Sequence, residues 1–129
     1  MSKVFYEIDE YKTIRWYKKG TDILHREDGP AIEFSNGYKV WFQNDDLHRE
    51  NGPAIECANG DKSWYKNGKL HREDGPAIDW TNGTRKWYID DKEYTEAEFN
   101  AYIGKNTTYD GKEVIIDGKT YKLKFVDIS

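Results

Sequence analysis

The nonapeptide "LHREDGPAI" occupies residues 24–32 and again residues 70–78, and between them residues 47–55 read "LHRENGPAI". The spacing of 23 extends to Pro30, Pro53 and Pro76 and to Trp41, Trp64 and Trp87. A fixed period of this length dictates a repeat architecture, because one such unit cannot bury its apolar face until a neighbour stacks on it.

Each unit holds two short extended runs. "PAIEF" passes through "SNG" into "YKVWFQ", and the copies read "PAIEC-ANG-DKSWYK" and "PAIDW-TNG-TRKWYI". Asn-Gly tolerates the positive φ angles of a two-residue type I′ turn, so each unit is expected to be a β-hairpin. With Asn36 and Gly37 at the tip, Phe34 faces Lys39, Glu33 faces Val40, Ile32 faces Trp41 and Ala31 faces Phe42. Alternation then places Ile32/Trp41, Ile55/Trp64 and Ile78/Trp87 on a core face, joined by Phe34, Cys57 and Trp80. The other face carries Ala31/Phe42, Ala54/Tyr65 and Ala77/Tyr88 with Glu33, Glu56 and Asp79. Asp79 is expected opposite Lys86, and Arg85 over the Trp80 ring. The remaining connection, ending in Asp/Asn-Gly-Pro, has turn chemistry.

The ends depart from the repeat, as caps do. Residues 1–22 read as a degenerate hairpin with Trp16 in the tryptophan place, ahead of three repeats over 23–92. Residues 93–104 predict a short helix, with Thr95 and Glu98 as a capping box and Gly104 as its stop. Residues 105–129 carry two Asp-Gly turns among β-rich runs, a terminal hairpin or meander. The fold class is therefore mainly all-β: one domain built as a single antiparallel sheet of hairpin repeats, with a short helix and a terminal hairpin.

A period of 23 with Trp and Asn-Gly anchors over residues 13–92 resembles the MORN repeats, in the divergent "LHREDGPA" variant of bacterial and bacteriophage proteins. The resemblance implies a single-layer antiparallel sheet used as a scaffold or binding surface. It also implies an alternative role, a small phage protein that inhibits a host factor, of defence or anti-CRISPR type, by direct binding. The family's Tyr-x-Gly and Gly-x-Gly elements are replaced here by Lys39-Val40-Trp41 and Pro53-Ala54-Ile55, so membrane-lipid binding is not expected.

Charge narrows the remaining classes. The 24 acids and 20 bases are interleaved, giving −4 overall, which lacks the basic stripe that nucleic acid requires. No apolar run approaches a membrane span or a signal peptide. With Cys57 as the one cysteine, a reducing, cytoplasmic setting is expected, the host cytoplasm if the protein is phage-encoded.

His25, His48 and His71 beside Arg26, Arg49 and Arg72 are the candidate chemistry. Equivalent positions in successive hairpins lie two strands apart, roughly 9–10 Å, too far for one zinc ion whose donors sit about 2 Å away. No Ser, Thr or Cys recurs in the loop to act as a nucleophile. The expectation is no enzyme, metal or cofactor: Arg tied to neighbouring acids, His bonded to turn backbone. Phe42, Tyr65 and Tyr88, flanked by Glu33, Glu56 and Asp79, are the candidate surface for another protein or for a homodimer. A weaker alternative is an anionic ligand, such as a nucleotide, held by the three arginines and three histidines.

Overall fold

The computed structural model describes residues 3–106 and 113–122. Two compact units make up the chain, Met1–Glu96 and Ala97–Ser129. The first is dominated by a nine-stranded sheet, antiparallel at every pairing. Its strands in spatial order are β1 (Val4–Ile8), β2 (Ile14–Lys18), β3 (Ile32–Glu33), β4 (Lys39–Val40), β7 (Ile55–Glu56), β8 (Lys62–Ser63), β11 (Ile78–Asp79), β12 (Arg85–Ile89) and β13 (Lys92–Tyr94). Two small hairpins accompany it: β5 (Phe42–Gln43) with β6 (Asp46–Leu47), and β9 (Tyr65–Lys66) with β10 (Lys69–Leu70). The mainly-β hairpin architecture is therefore the one expected, with a second hairpin added to each repeat.

That second hairpin follows from where the type I′ turns fall. Asn44 and Asp45 have φ of 52° and 66°, Asn67 and Gly68 of 50° and 80°, and Asp90 and Asp91 of 47° and 68°. Two successive positive φ values match the twist of paired strands, and Asn, Asp and Gly tolerate them best. At the "SNG" tips only the glycine is left-handed, with Gly37 at 93°. Phe34 N–H bonds the Tyr38 carbonyl and Gly37 N–H returns to Phe34, a three-residue loop closed by an αL glycine.

One extra turn residue slips the register by one. Ile32 lies opposite Val40, not Trp41, and Glu33 opposite Lys39, not Val40. The expected Ile/Trp rungs are thus corrected at every repeat. The row actually formed runs Ile32, Val40, Ile55, Ser63, Ile78, Lys86 across adjacent strands. Its neighbour runs Glu33, Lys39, Glu56, Lys62, Asp79, Arg85, opposite charges in strict alternation. Cross-strand pairs of opposite charge are each worth about 0.2–1 kcal/mol. Asp79 meets Arg85 at 3.4 Å rather than Lys86. Arg85 consequently pairs with that carboxylate in place of the expected contact with Trp80, which is itself exposed.

The tryptophans instead mark a change of partner. After Val40 the strand leaves the main sheet: Trp41 N–H bonds the Ala54 carbonyl at 2.7 Å, and the Trp41 carbonyl takes His48 N–H. Trp64 does the same with Ala77 and His71. Ala54 and Ala77 are fully buried at these crossings, as is Ala31 where its carbonyl takes Trp16 N–H within β2, and dense packing there favours a small side chain. A second ladder ties the small hairpins together, through Arg26 N–H to Phe42, Arg49 N–H to Tyr65 and Arg72 N–H to Tyr88 carbonyls. The first set of bonds joins each repeat to the next, and the second ties each loop to the hairpin that follows it within the repeat.

The N-terminal hairpin β1–β2 forms as expected and turns on Asp9. Its carboxylate accepts Tyr11 and Thr13 N–H groups and pairs with Arg15 at 2.8 Å. These bonds, the arginine's first, hold the Asp9 carboxyl below its usual pKa.

Helix α1 runs Glu96–Asn106, starting directly after Thr95, and all but its first residue belongs to the second unit. It passes through Gly104, which is therefore not its stop. A glycine ends a helix by taking positive φ, and Gly104 does not. Strands β14 (Glu113–Ile116) and β15 (Lys119–Lys122) pair around Asp117-Gly118, another type I′ turn. The other Asp-Gly, at 110–111, lies outside the described residues. Among the described residues no helix is long and apolar enough to cross a membrane.

Candidate functional site

The three Leu-His-Arg loops lie over the crossings just described, and each arginine covers a tryptophan of the preceding rung. The guanidinium carbon is 4.1 Å from the ring centre for Arg26 over Trp16, 3.9 Å for Arg49 over Trp41 and 3.8 Å for Arg72 over Trp64. A planar guanidinium on an indole face gains cation–π attraction, about 1–2 kcal/mol where partly desolvated. The same group donates to the Pro30, Pro53 and Pro76 carbonyls at 3.0–3.2 Å. Its charge meets Asp28 at 3.0 Å and Asp74 at 2.8 Å in the outer loops, and Glu56 at 3.1 Å in the middle one.

This stack explains the glycine of the motif. A Cβ built on Gly29, Gly52 or Gly75 would stand 2.8–2.9 Å from the guanidinium carbon. The arginine is held between an indole and a bare glycine backbone. Where the motif ends, the stack ends: Thr95 stands where a fourth arginine would fall, and Trp87 is half-buried beside Tyr94.

The histidines join each loop to the turn that closes the same repeat. His25 Nδ1 accepts Asn44 N–H at 3.1 Å, His48 Nδ1 accepts Asn67 N–H at 2.9 Å, and His71 Nδ1 accepts Asp90 N–H at 3.2 Å. A nitrogen that accepts carries no proton, so the ring hydrogen belongs on Nε2. Nε2 faces Glu27 at 3.4 Å, Glu50 at 2.6 Å and Glu73 at 3.2 Å. The His48 bond, with Lys66 near, holds the Glu50 carboxyl below the usual glutamate range. Two aspartates reinforce the joints: Asp45 Oδ1 accepts Leu24 N–H at 2.6 Å and Asp91 Oδ1 accepts Leu70 N–H at 2.7 Å. The expected arrangement, arginines tied to acids and histidines to turn backbone, is the one present.

Between successive loops lie two equivalent grooves of about 520 and 580 Å³. The first is walled by Arg26, Trp41, His48 and Arg49, the second by Arg49, Trp64, His71 and Arg72. Both mouths are acidic, because Glu27, Asp28, Glu50, Glu73 and Asp74 are exposed. An anion entering a groove would have to displace carboxylates already on the arginines. Among the described residues no cluster of three or more His, Cys, Asp or Glu is arranged to hold a metal ion.

The candidate partner surface is divided. Phe42 and Tyr65 are half-buried on the small hairpins, paired with Leu47 and Leu70, and Tyr88 is opposite Glu93 in β12. Burial pushes the Tyr65 phenol pKa up, with Asp91 adding to it. Glu33, Glu56 and Asp79 sit apart from them in the alternating charge row. Cys57 is free and half-buried, and burial raises its thiol pKa, with Asp61 contributing; a raised pKa opposes thiolate chemistry. Among the described residues the large apolar side chains most exposed are elsewhere, at Tyr6 (54%), Ile8 (54%), Tyr11 (73%) and Trp80 (40%). For Tyr6 and Ile8 the signal was available as period-two alternation in "VFYEI", read only as a cap. The arginine–tryptophan stack was missed because Arg49 reaches Trp41 across a hairpin whose existence depends on the Asn44-Asp45 turn. No protein-family model, curated protein or solved structure matches the chain.

Proposed function

We propose that the chain is a non-catalytic, MORN-like repeat module that binds another protein, or a second copy of itself, through the outer side of its first hairpin. The observation that carries this is the exposure of Tyr6 and Ile8 on β1, the terminal strand of the nine-stranded sheet, with Tyr11 on the adjoining turn. A strand at a sheet edge is a template for a further strand, and exposed apolar side chains there add to the attraction. The non-catalytic part is supported by the loops, whose imidazoles are occupied on turn backbone and whose guanidiniums are occupied on tryptophan rings.

The test compares the wild type with Tyr6→Lys/Ile8→Lys. Sedimentation reads self-association, and capture from a lysate on each immobilised protein reads a foreign partner. A complex formed by the wild type and lost in the double variant supports the reading. A complex that survives the variant, or no complex in either format, rejects it.

A further inference from the structure

We propose that Asn51 is a site of spontaneous deamidation, the single step at which this repeat sheet chemically edits itself. The described chain has five Asn-Gly steps, at Asn36, Asn51, Asn59, Asn67 and Asn82. In the reaction the Gly52 backbone nitrogen, having lost its proton, attacks Asn51 Cγ. A C–N bond forms, the Cγ–NH2 bond breaks and ammonia leaves, giving a five-membered imide. Water then opens the ring at either carbonyl, to aspartate or to its β-linked isomer. Glycine favours the attack because no Cβ obstructs the nitrogen.

The fold restrains that nitrogen at four of the five steps. Gly37, Gly60, Gly68 and Gly83 donate their N–H to the carbonyls of Phe34, Cys57, Leu47 and Trp80 at 2.9–3.0 Å. Three of the side chains are also held, since Asn36, Asn59 and Asn82 Oδ1 accept Tyr38, Asp61 and Thr84 N–H groups. Asn67 is fixed through its own N–H on His48. Asn51 is exposed, and neither its side chain nor the Gly52 N–H has a hydrogen bond in the described structure.

The product has a place waiting. Asp28 and Asp74 fill the same motif position and accept from Arg26 and Arg72 Nε. The middle loop, with asparagine there, has no such bond at Nε; Arg49 Nη1 pairs with Glu56, as Arg26 Nη1 faces Glu33. Ring opening to the α-linked aspartate converts "LHRENGPAI" to the sequence of its two neighbours and supplies the missing carboxylate.

Peptide mapping by mass spectrometry, on the full chain aged in mildly alkaline buffer with and without urea, tests this. In the folded protein Asn51 converts about fivefold faster than any other Asn-Gly step, the factor for first breaking one backbone hydrogen bond. In urea the five rates converge. A second Asn-Gly step converting as fast as Asn51 in the folded chain overturns the site. The Asn51→Asp protein is expected to unfold at higher temperature than wild type; an equal or lower value overturns the claim that the product restores the arginine pair.

Discussion

Val40-Trp41-Phe42 and Lys86-Trp87-Tyr88 occupy the same place in the repeat, yet the first strand breaks at its tryptophan and the second, β12, runs through without interruption. The inner tryptophan is followed by another repeat, whose Ala54 carbonyl takes its N–H and whose Arg49 covers its ring. The outer one has neither. Trp16 has both as well, yet β2 runs unbroken where β1 pairs along its whole length, so the break at Trp41 goes with an incoming repeat on one side and no full-length partner strand on the other. Secondary structure here is a property of the stack, as expected where units interact mainly with neighbours.

Substituting the two tryptophans attacks this difference most strongly. Trp41→Ala should cost about 3–5 kcal/mol, the range for a large buried aromatic, and Trp87→Ala about half of that, read by urea unfolding. Equal costs would mean that the arginine cover and the crossing contribute nothing. Next in size is Ala54→Leu, at a fully buried crossing, expected to destabilise by about 1–3 kcal/mol through overpacking. The matching position after Trp87 lies beyond the last repeat, so no counterpart there shows this sensitivity. Arg49→Lys keeps the charge but loses the planar stack and the fork of donors. Its expected cost is about 1 kcal/mol, with Trp41 fluorescence shifting as its ring is uncovered and Trp87 unaffected.

The smallest effect is on acid stability. Glu50, held ionised by His48, has a folded pKa below its unfolded one, so its contribution is present above the ordinary glutamate range and fades as pH falls through the lowered value. Glu50→Gln should flatten that part of the stability–pH curve slightly, the group being solvent-exposed. A loss of stability on raising the pH instead would reverse the assigned sign.

The period, the hairpin content and the bonding of the loop arginines and histidines were legible in the sequence because turn residues and spacing encode them locally. The register was not. "SNG" fits a two-residue or a three-residue loop equally well, and one residue decides which side chains meet. Read as two, it paired Ile32 with Trp41, Asp79 with Lys86 and Trp80 with Arg85; read as three, it gives the alternating charge row. The crossing at Trp41 was also hidden, since the Ala54 carbonyl that takes its N–H belongs to the next repeat. The aromatic stripe suffered the same fate, Phe42 and Tyr65 having moved with the bend onto the small hairpins.

The central claim is that each histidine is a joint, its Nδ1 accepting a backbone N–H from the following turn. Two-bond proton–nitrogen correlation spectra of the imidazoles in mildly alkaline buffer test it without perturbing the protein. The account predicts that His25, His48 and His71 all carry the ring proton on Nε2; a proton on Nδ1, or rings exchanging freely between the two forms, would contradict it.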